Sequence, residues 1–345
     1  MGWVLVLSIV AGVLLVDMLI HLGFALLILP FFERPVPFSV EPSEPDPRAE
    51  RISFPGSDGL TLRGSLFVRP EEESRGLILF CPEHCGDHWS AMNYCAGLWD
   101  AGFDIMSFAF RNQGESDSLP GYEPRHWLTS HELSDTLSAI RYIDSRPDLA
   151  SRPLGVFGIS RGGCAALAAG SLTPRVRAVA CEGVFSTRSL MRFYSLRWAS
   201  LYLPQWALKL LPQWHINLTL QLTLQLSAWK RGLRYPRLES LLKKIPPRPV
   251  LMIAGGRDTY VPENITRSVC EAARSSCNGV WVVPSARHNM ARRVDPAGYD
   301  ERLEQLFQAL SSESSPRPES STASTDQPAE LQDSEDSGTG CRAAG

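Results

Sequence analysis

The chain has 345 residues, of which 44% are apolar, 21% charged and 9% aromatic, the balance of a globular protein with a large core. That balance excludes disorder throughout, a collagen-like fibre and a small disulfide-stapled scaffold. The formal charge of −3 gives no overall reason to expect a nucleic-acid partner, because phosphate binding needs clustered positive charge.

Residues 1–29 are almost unbroken apolar sequence, with Ser8, Asp17 and His21 as the polar interruptions. The run is long enough to span a bilayer once. No Lys or Arg precedes Arg34 and no cleavage site stands out, so a retained transmembrane anchor is expected rather than a removed signal peptide. Asp17 and His21 are four apart and share one helix face, either as a functional or partner-binding polar spot or as a tolerated pair. Residues 30–50 contain Pro30, Pro35, Pro37, Pro42, Pro45 and Pro47, which predicts an extended spacer. At the other end, residues 311–345 are rich in Ser, Glu, Asp, Thr and Pro and predict a disordered acidic tail. Residues 51–310 then make one domain, not the two that length alone suggests.

Within that domain, residues 51–54 and 60–68 flank Gly56-Ser57-Asp58-Gly59 and predict an opening hairpin. Short apolar runs then alternate with helical stretches. Strands are expected at 76–81, 104–108, 154–158, 176–182, 250–255 and 280–283, with helices at 90–101, 127–145, 161–172, after Pro262, and at 296–310. The rhythm implies an α/β fold: a mostly parallel sheet with helices on both faces and catalytic groups at the carboxyl ends of the strands.

Three strand ends carry chemistry. Gly158-Ile159-Ser160-Arg161-Gly162 lies between an apolar strand and a Gly/Ala-rich helix, the setting of a nucleophile elbow. A serine hydroxyl needs a base to take its proton and a carboxylate to hold that base. His288 follows the last strand and Asp258 the one before it, in the order Ser160, Asp258, His288. Glu182, ending the strand after the nucleophile, is the rival acid, for which a buried structural role is preferred. An oxyanion hole takes two backbone N–H groups, one from Arg161 and the other from the loop after residues 77–81, by position Glu83. Cys81, His84, Cys85, Asp87 and His88 in that loop superficially resemble metal ligands but fit no zinc spacing, so no metal and no cofactor is expected.

On these motifs the chain resembles the α/β-hydrolase superfamily, especially its membrane-anchored branch and the serine aminopeptidase-like and monoacylglycerol-lipase-like hydrolases. The resemblance covers roughly residues 52–310. It includes Gly255-Gly256-Arg257-Asp258 with Val261-Pro262, and His288-Asn289. Phe110-Arg111-Asn112-Gln113-Gly114-Glu115-Ser116 is similar to the family's D-x-R-G-x-G-x-S turn, with Asn112 replacing its first Gly. Where related enzymes carry His-Gly-x before the second oxyanion donor, this chain has Cys81-Pro82-Glu83.

Between Glu182 and Val250 the strand rhythm stops, where such hydrolases place a cap. Residues 186–247 hold ten Lys/Arg against one Asp/Glu, and four of the nine tryptophans: Trp198, Trp206, Trp214 and Trp229. Tryptophan with flanking cations suits an anionic lipid surface, although a cap that only covers the core has the same composition. The expectation is a membrane-anchored serine hydrolase of lipid or acyl esters with the bilayer as partner. An aminopeptidase or amidase of the same fold and a non-catalytic membrane scaffold are the alternatives. Arg34, Arg48 and Arg51 after the span predict a cytoplasmic domain. Cys81, Cys164 and Cys181 fall in apolar runs and suit a reduced compartment, whereas Cys270 and Cys277 are placed either to pair or to stay free. The sequons at Asn217 and Asn264 matter only if the domain faces a lumen.

Overall fold

A computed structural model describes residues 2–35, 40 and 43–310, apart from the Ser275 side chain. The expected acidic tail and part of the expected spacer lie outside the described residues. The helices are α1 (Gly2–Phe32), α2 (Ala91–Asp100), α3 (Ser130–Ser145), α4 (Pro147–Ala150), α5 (Arg161–Gly170), α6 (Thr187–Ala199), α7 (Gln205–Leu210), α8 (Gln213–Arg231), α9 (Leu238–Leu242), α10 (Glu263–Ala272), α11 (Ala291–Val294) and α12 (Pro296–Phe307). The strands are β1 (Glu50–Pro55), β2 (Thr61–Phe67), β3 (Leu77–Cys81), β4 (Asp104–Phe108), β5 (Leu154–Ile159), β6 (Val176–Glu182), β7 (Val250–Gly255) and β8 (Cys277–Val283).

The strands form one sheet in the order β1-β2-β4-β3-β5-β6-β7-β8. β1 and β2 make the expected hairpin and β2 meets β4 antiparallel, while the pairings from β4 through β8 are parallel. Side chains alternate across a strand, so β3 sends Leu77, Leu79 and Cys81 into one apolar layer and Ile78 and Phe80 into the other. Burial on both faces is why these strands read as continuous apolar runs rather than as alternating ones.

Two boundaries differ from expectation. α3 begins at Ser130 because Thr129 and Glu132 form a capping box that fixes the start three residues past Trp127. β8 begins at Cys277, which pairs with Val250, and Asn278 and Gly279 fall at an irregularity before Val280 pairs with Met252, so no apolar run marks this start.

The larger difference concerns the N-terminal helix α1. α1 is long and apolar enough to cross a membrane, with mean hydropathy 2.6 over its most apolar window and none of that window buried. It does not stop at Leu29 but runs through Pro30 to Phe32, and its second half docks on the domain. His21, Ala25 and Phe32 are buried. Phe32 stacks on Trp127 at 4.7 Å, and the Trp127 indole N–H donates to the Phe32 carbonyl at 2.8 Å. Glu33 accepts from Lys230 at 2.6 Å and from Ser227 at 2.9 Å. The helix thus extends past Leu29 and meets the domain directly: α8 receives His21 and Glu33, and burial of Phe32 against Trp127 and Tyr235 favours docking.

α6, α7, α8 and α9 occupy the interval between β6 and β7. Trp198, Trp206, Trp214 and Trp229 are exposed on this cap, together with Leu201, Tyr202 and Leu210. Cys270 and Cys277 are joined in a disulfide, which closes the alternative left open by the sequence. The buried free thiols of Cys81, Cys164 and Cys181 suit either redox setting, so the reduced compartment expected from them does not extend to the 270–277 pair.

Candidate active site

β5 ends at Ile159, and Ser160 follows at φ 52° and ψ −117°, a conformation that costs a non-glycine residue about 1–3 kcal/mol. Neighbours hold it there. The Ser160 N–H donates to the Glu182 carbonyl at 2.7 Å, and the Ser160 carbonyl accepts from the Cys164 N–H at 3.0 Å. A Cβ on Gly162 would fall 2.2 Å from the Cys81 carbonyl oxygen, and one on Gly158 would fall 2.5 Å from that of Gly162. The elbow is thus folded so tightly that only glycine fits at either side of the serine, as its sequence pattern requires.

The loops after β7 and β8 bring two further groups to this turn. His288 Nε2 lies 3.0 Å from Ser160 Oγ, and His288 Nδ1 lies 2.6 Å from Asp258 Oδ2. Asp258 Oδ1 accepts the backbone N–H groups of Tyr260 at 2.8 Å and Val261 at 2.9 Å. Those bonds fix the carboxylate so that its other oxygen faces the imidazole. The Tyr260 ring packs 5.5 Å from that of His288. A serine, an imidazole and a buried carboxylate in line can pass a proton from the hydroxyl to Nε2 while the carboxylate holds the ring.

Glu182 is spent elsewhere. Its Oε1 accepts the Ala291 N–H at 2.9 Å and its Oε2 the Tyr299 hydroxyl at 2.7 Å. Burial raises its carboxyl to about 7. It ties β6 to the segment just after His288, which is the structural role preferred for it.

Arg161 opens α5, so its backbone N–H has no acceptor within the helix. Its fully buried side chain sits 3.4 Å from Glu132, donates to the Arg125 carbonyl at 2.8 Å and meets Gln113. Burial pushes the Glu132 carboxyl up, but Arg161, Thr129 and Tyr122 outweigh it and hold Glu132 below the ordinary range. The close packing of Gly162 on Cys81 and Pro82 sets the loop carrying Glu83 against the nucleophile turn. The Glu83 side chain is buried; Oε1 accepts from Tyr94 at 3.1 Å and Oε2 has no hydrogen-bond partner. Burial raises this carboxyl, and the charge of nearby His288 acts in the opposite sense. The sequence points to the Glu83 backbone alone; its buried acid side chain has no spacing signal.

The remaining residues of that loop do not gather as ligands. Asp87 Oδ1 caps the Trp89 N–H at 2.9 Å. Burial, helped by Arg161, lowers His84 to about 3, and burial lowers His88 as well. In the 110–116 turn, Asn112 takes φ 59°, a left-handed conformation that asparagine tolerates and glycine usually supplies. Its side chain bonds Leu119 N at 2.8 Å, Leu119 O at 3.2 Å and Tyr122 O at 2.8 Å, which a glycine could not do. Buried Arg111 anchors the same turn to Asp135 at 2.5 Å.

A family model described as the alpha/beta hydrolase family matches residues 78–301, which include β3 through most of α12 and all the groups above. The chain belongs to the alpha/beta hydrolase family. This hydrolase is 30% identical over 159 residues to the uncharacterized protein YfhR of Salmonella typhi, covering 41% of this chain and 51% of that protein. It is 25% identical over 134 residues to thiohydrolase aneE of Aspergillus aculeatus, covering 37% and 39%. In these two matches the chain spans about half or less of the relative's length. The uncharacterized protein Rv2307c of Mycobacterium tuberculosis is 24% identical over 250 residues, 72% of this chain and 75% of that one. Among solved structures, the esterase Pf2001 of Pyrococcus furiosus superposes with TM-score 0.58 at 17% identity, covering 80% of this chain and 98% of its own. Acetyl xylan esterase 1 of Thermoanaerobacterium gives TM-score 0.52 at 21% identity, covering 85% and 94%. At such identities these likenesses show the fold alone.

Proposed function

We propose that this hydrolase is a membrane-anchored serine esterase acting on lipid or other acyl esters. The observation that carries the reading is His288, set 3.0 Å from Ser160 Oγ and 2.6 Å from Asp258 Oδ2. Ser160 attacks the acyl carbonyl as His288 takes its proton; Asp258 keeps the imidazole in the tautomer that can accept at Nε2. The backbone N–H groups of Arg161 and Glu83 receive the developing oxyanion. His288 then returns the proton to the leaving alkoxide, and water repeats the sequence on the acyl-enzyme. A thioester carries the same acyl carbon, and the thiohydrolase name of one relative makes thioesters the second class to assay.

The membrane part rests on the exposed apolar first half of α1 and on the exposed cap tryptophans, of which Trp198 lies 5.7 Å from Phe31 at the end of α1. Arg34, Arg48 and Arg51 favour a cytoplasmic domain, whereas the Cys270–Cys277 disulfide and exposed Asn217 and Asn264 in sequons favour the opposite side. Protease protection in sealed vesicles separates the two. The activity is tested by comparing acyl esters, acyl thioesters and aminoacyl amides with wild type and Ser160→Ala. The reading expects ester turnover that falls at least about a thousandfold in the variant; amide turnover exceeding ester turnover would replace it with the aminopeptidase reading.

A further inference from the structure

Near the middle of α1, Asp17 and His21 stand four residues apart on one face. α8 meets them with His215 and Thr219 at the same spacing. The helices lie side by side, His21 against His215 and Thr219 and Glu33 against Ser227 and Lys230. Buried His21 places Nδ1 2.7 Å from Thr219 Oγ1 and Nε2 2.8 Å from Nδ1 of His215. Asp17 closes the triangle, Oδ2 at 3.6 Å from His21 Nε2 and Oδ1 at 3.8 Å from His215 Nδ1.

We propose that Asp17, His21 and His215 form a binding site for a divalent transition-metal ion of the zinc class, which fastens the anchor helix to the cap. One ligand atom from each residue lies within 4.8 Å of the others, and among the described residues this is the group of three that converges so. Three ligands on a tetrahedral ion with bonds of about 2.0–2.1 Å stand about 3.3 Å apart. The observed separations of 2.8, 3.6 and 3.8 Å bracket that value, so an ion enters with shifts of about half an ångström.

The surroundings select the ligand. Thr219 Oγ1 lies within hydrogen-bond distance of His21 Nδ1, and when that nitrogen carries the proton and donates it to the hydroxyl the Nε2 lone pair is left facing the triangle; this is how metal-binding histidines are held. Two imidazoles and one carboxylate suit zinc, nickel or copper rather than calcium or magnesium, which prefer all-oxygen shells. A carboxylate on an otherwise apolar helix is costly unless its charge is met, and a divalent ion meets it. Three protein ligands leave a fourth position for water. The site lies on α1 and α8, none of its residues belongs to the serine site, and its role is to hold α1 on the cap.

The test uses full-length protein in detergent, stripped with a chelator and then dialysed against buffered micromolar zinc. We expect about one zinc per wild-type chain by elemental analysis, with a rise in melting temperature. His215→Gln and Asp17→Asn should each weaken zinc binding at least tenfold and abolish that rise, while hydrolysis of a soluble ester persists. Wild-type chains loaded with cobalt(II) should show visible bands of a tetrahedral nitrogen and oxygen site, a readout that does not depend on any variant folding. Wild-type protein without zinc or cobalt bands, or variants that bind zinc as tightly as wild type, would overturn the proposal; the cluster is then only a hydrogen-bonded contact.

Discussion

Tyr299 donates its hydroxyl to Oε2 of Glu182 at 2.7 Å, and this bond separates the two acids at neighbouring strand ends. Glu182 serves α11 and α12, leaving Asp258 to hold His288. The burial that raises Glu182 to about 7, from an ordinary 4.5, also sets a pH dependence. In the fold this carboxyl keeps its proton beyond the pH at which the unfolded chain releases its own. Stability is therefore lost as pH rises from about 4.5 to about 7, by about 3 kcal/mol, and changes no further above that. Glu182→Gln should remove this contribution, so its melting temperature relative to wild type should rise between pH 5 and pH 8. A difference that stays constant with pH would show that Glu182 is ionised in the fold.

Gly183 has φ +64°, and a Cβ there would lie 3.0 Å from Cε1 and 3.3 Å from Nδ1 of His288. Gly183→Ala should push the imidazole off line with Ser160. Misplacement of a catalytic group by about 1 Å costs about a hundredfold in rate. Steady-state kinetics on a soluble ester should show kcat falling tenfold or more, with KM little changed.

The docking of α1 on the domain is measurable as stability. Phe32 is 4% exposed and stacked on Trp127, and replacing a buried Phe by Ala costs about 3–5 kcal/mol. Phe32→Ala should shift the urea midpoint of the full-length protein and redden Trp127 emission. An unchanged midpoint would mean that α1 is only a tether.

Asn112→Gly keeps the left-handed backbone but removes three side-chain bonds that brace the turn to Leu119 and Tyr122. A destabilisation of about 1–3 kcal/mol is expected in denaturant titration, even though glycine is the family's usual residue there.

Much of this was legible because local signals and function coincide. Strands buried on both faces read as apolar runs; Ser160 follows one directly, and Asp258 and His288 lie in the loops after two others. Gly158 and Gly162 mark the elbow through a steric demand that any sequence with this turn must meet. What stayed hidden depends on distance in the chain. Asp17 and His21 were visible as a pair, but His215, 194 residues from His21, has no spacing relation to them. The start of α3 was misplaced because Trp127 reads as helical periodicity while its actual partner is Phe32. The buried acid of Glu83 follows a strand in a loop whose Cys-Pro-Glu order gives no cue to the side chain's direction.

The most direct measurement is mass spectrometry of the full-length protein after treatment with a fluorophosphonate, which favours an activated serine. One adduct is expected, mapped to Ser160, lost in Ser160→Ala and strongly slowed in His288→Ala. An unmodified wild-type protein, or an adduct that persists in Ser160→Ala, would contradict it.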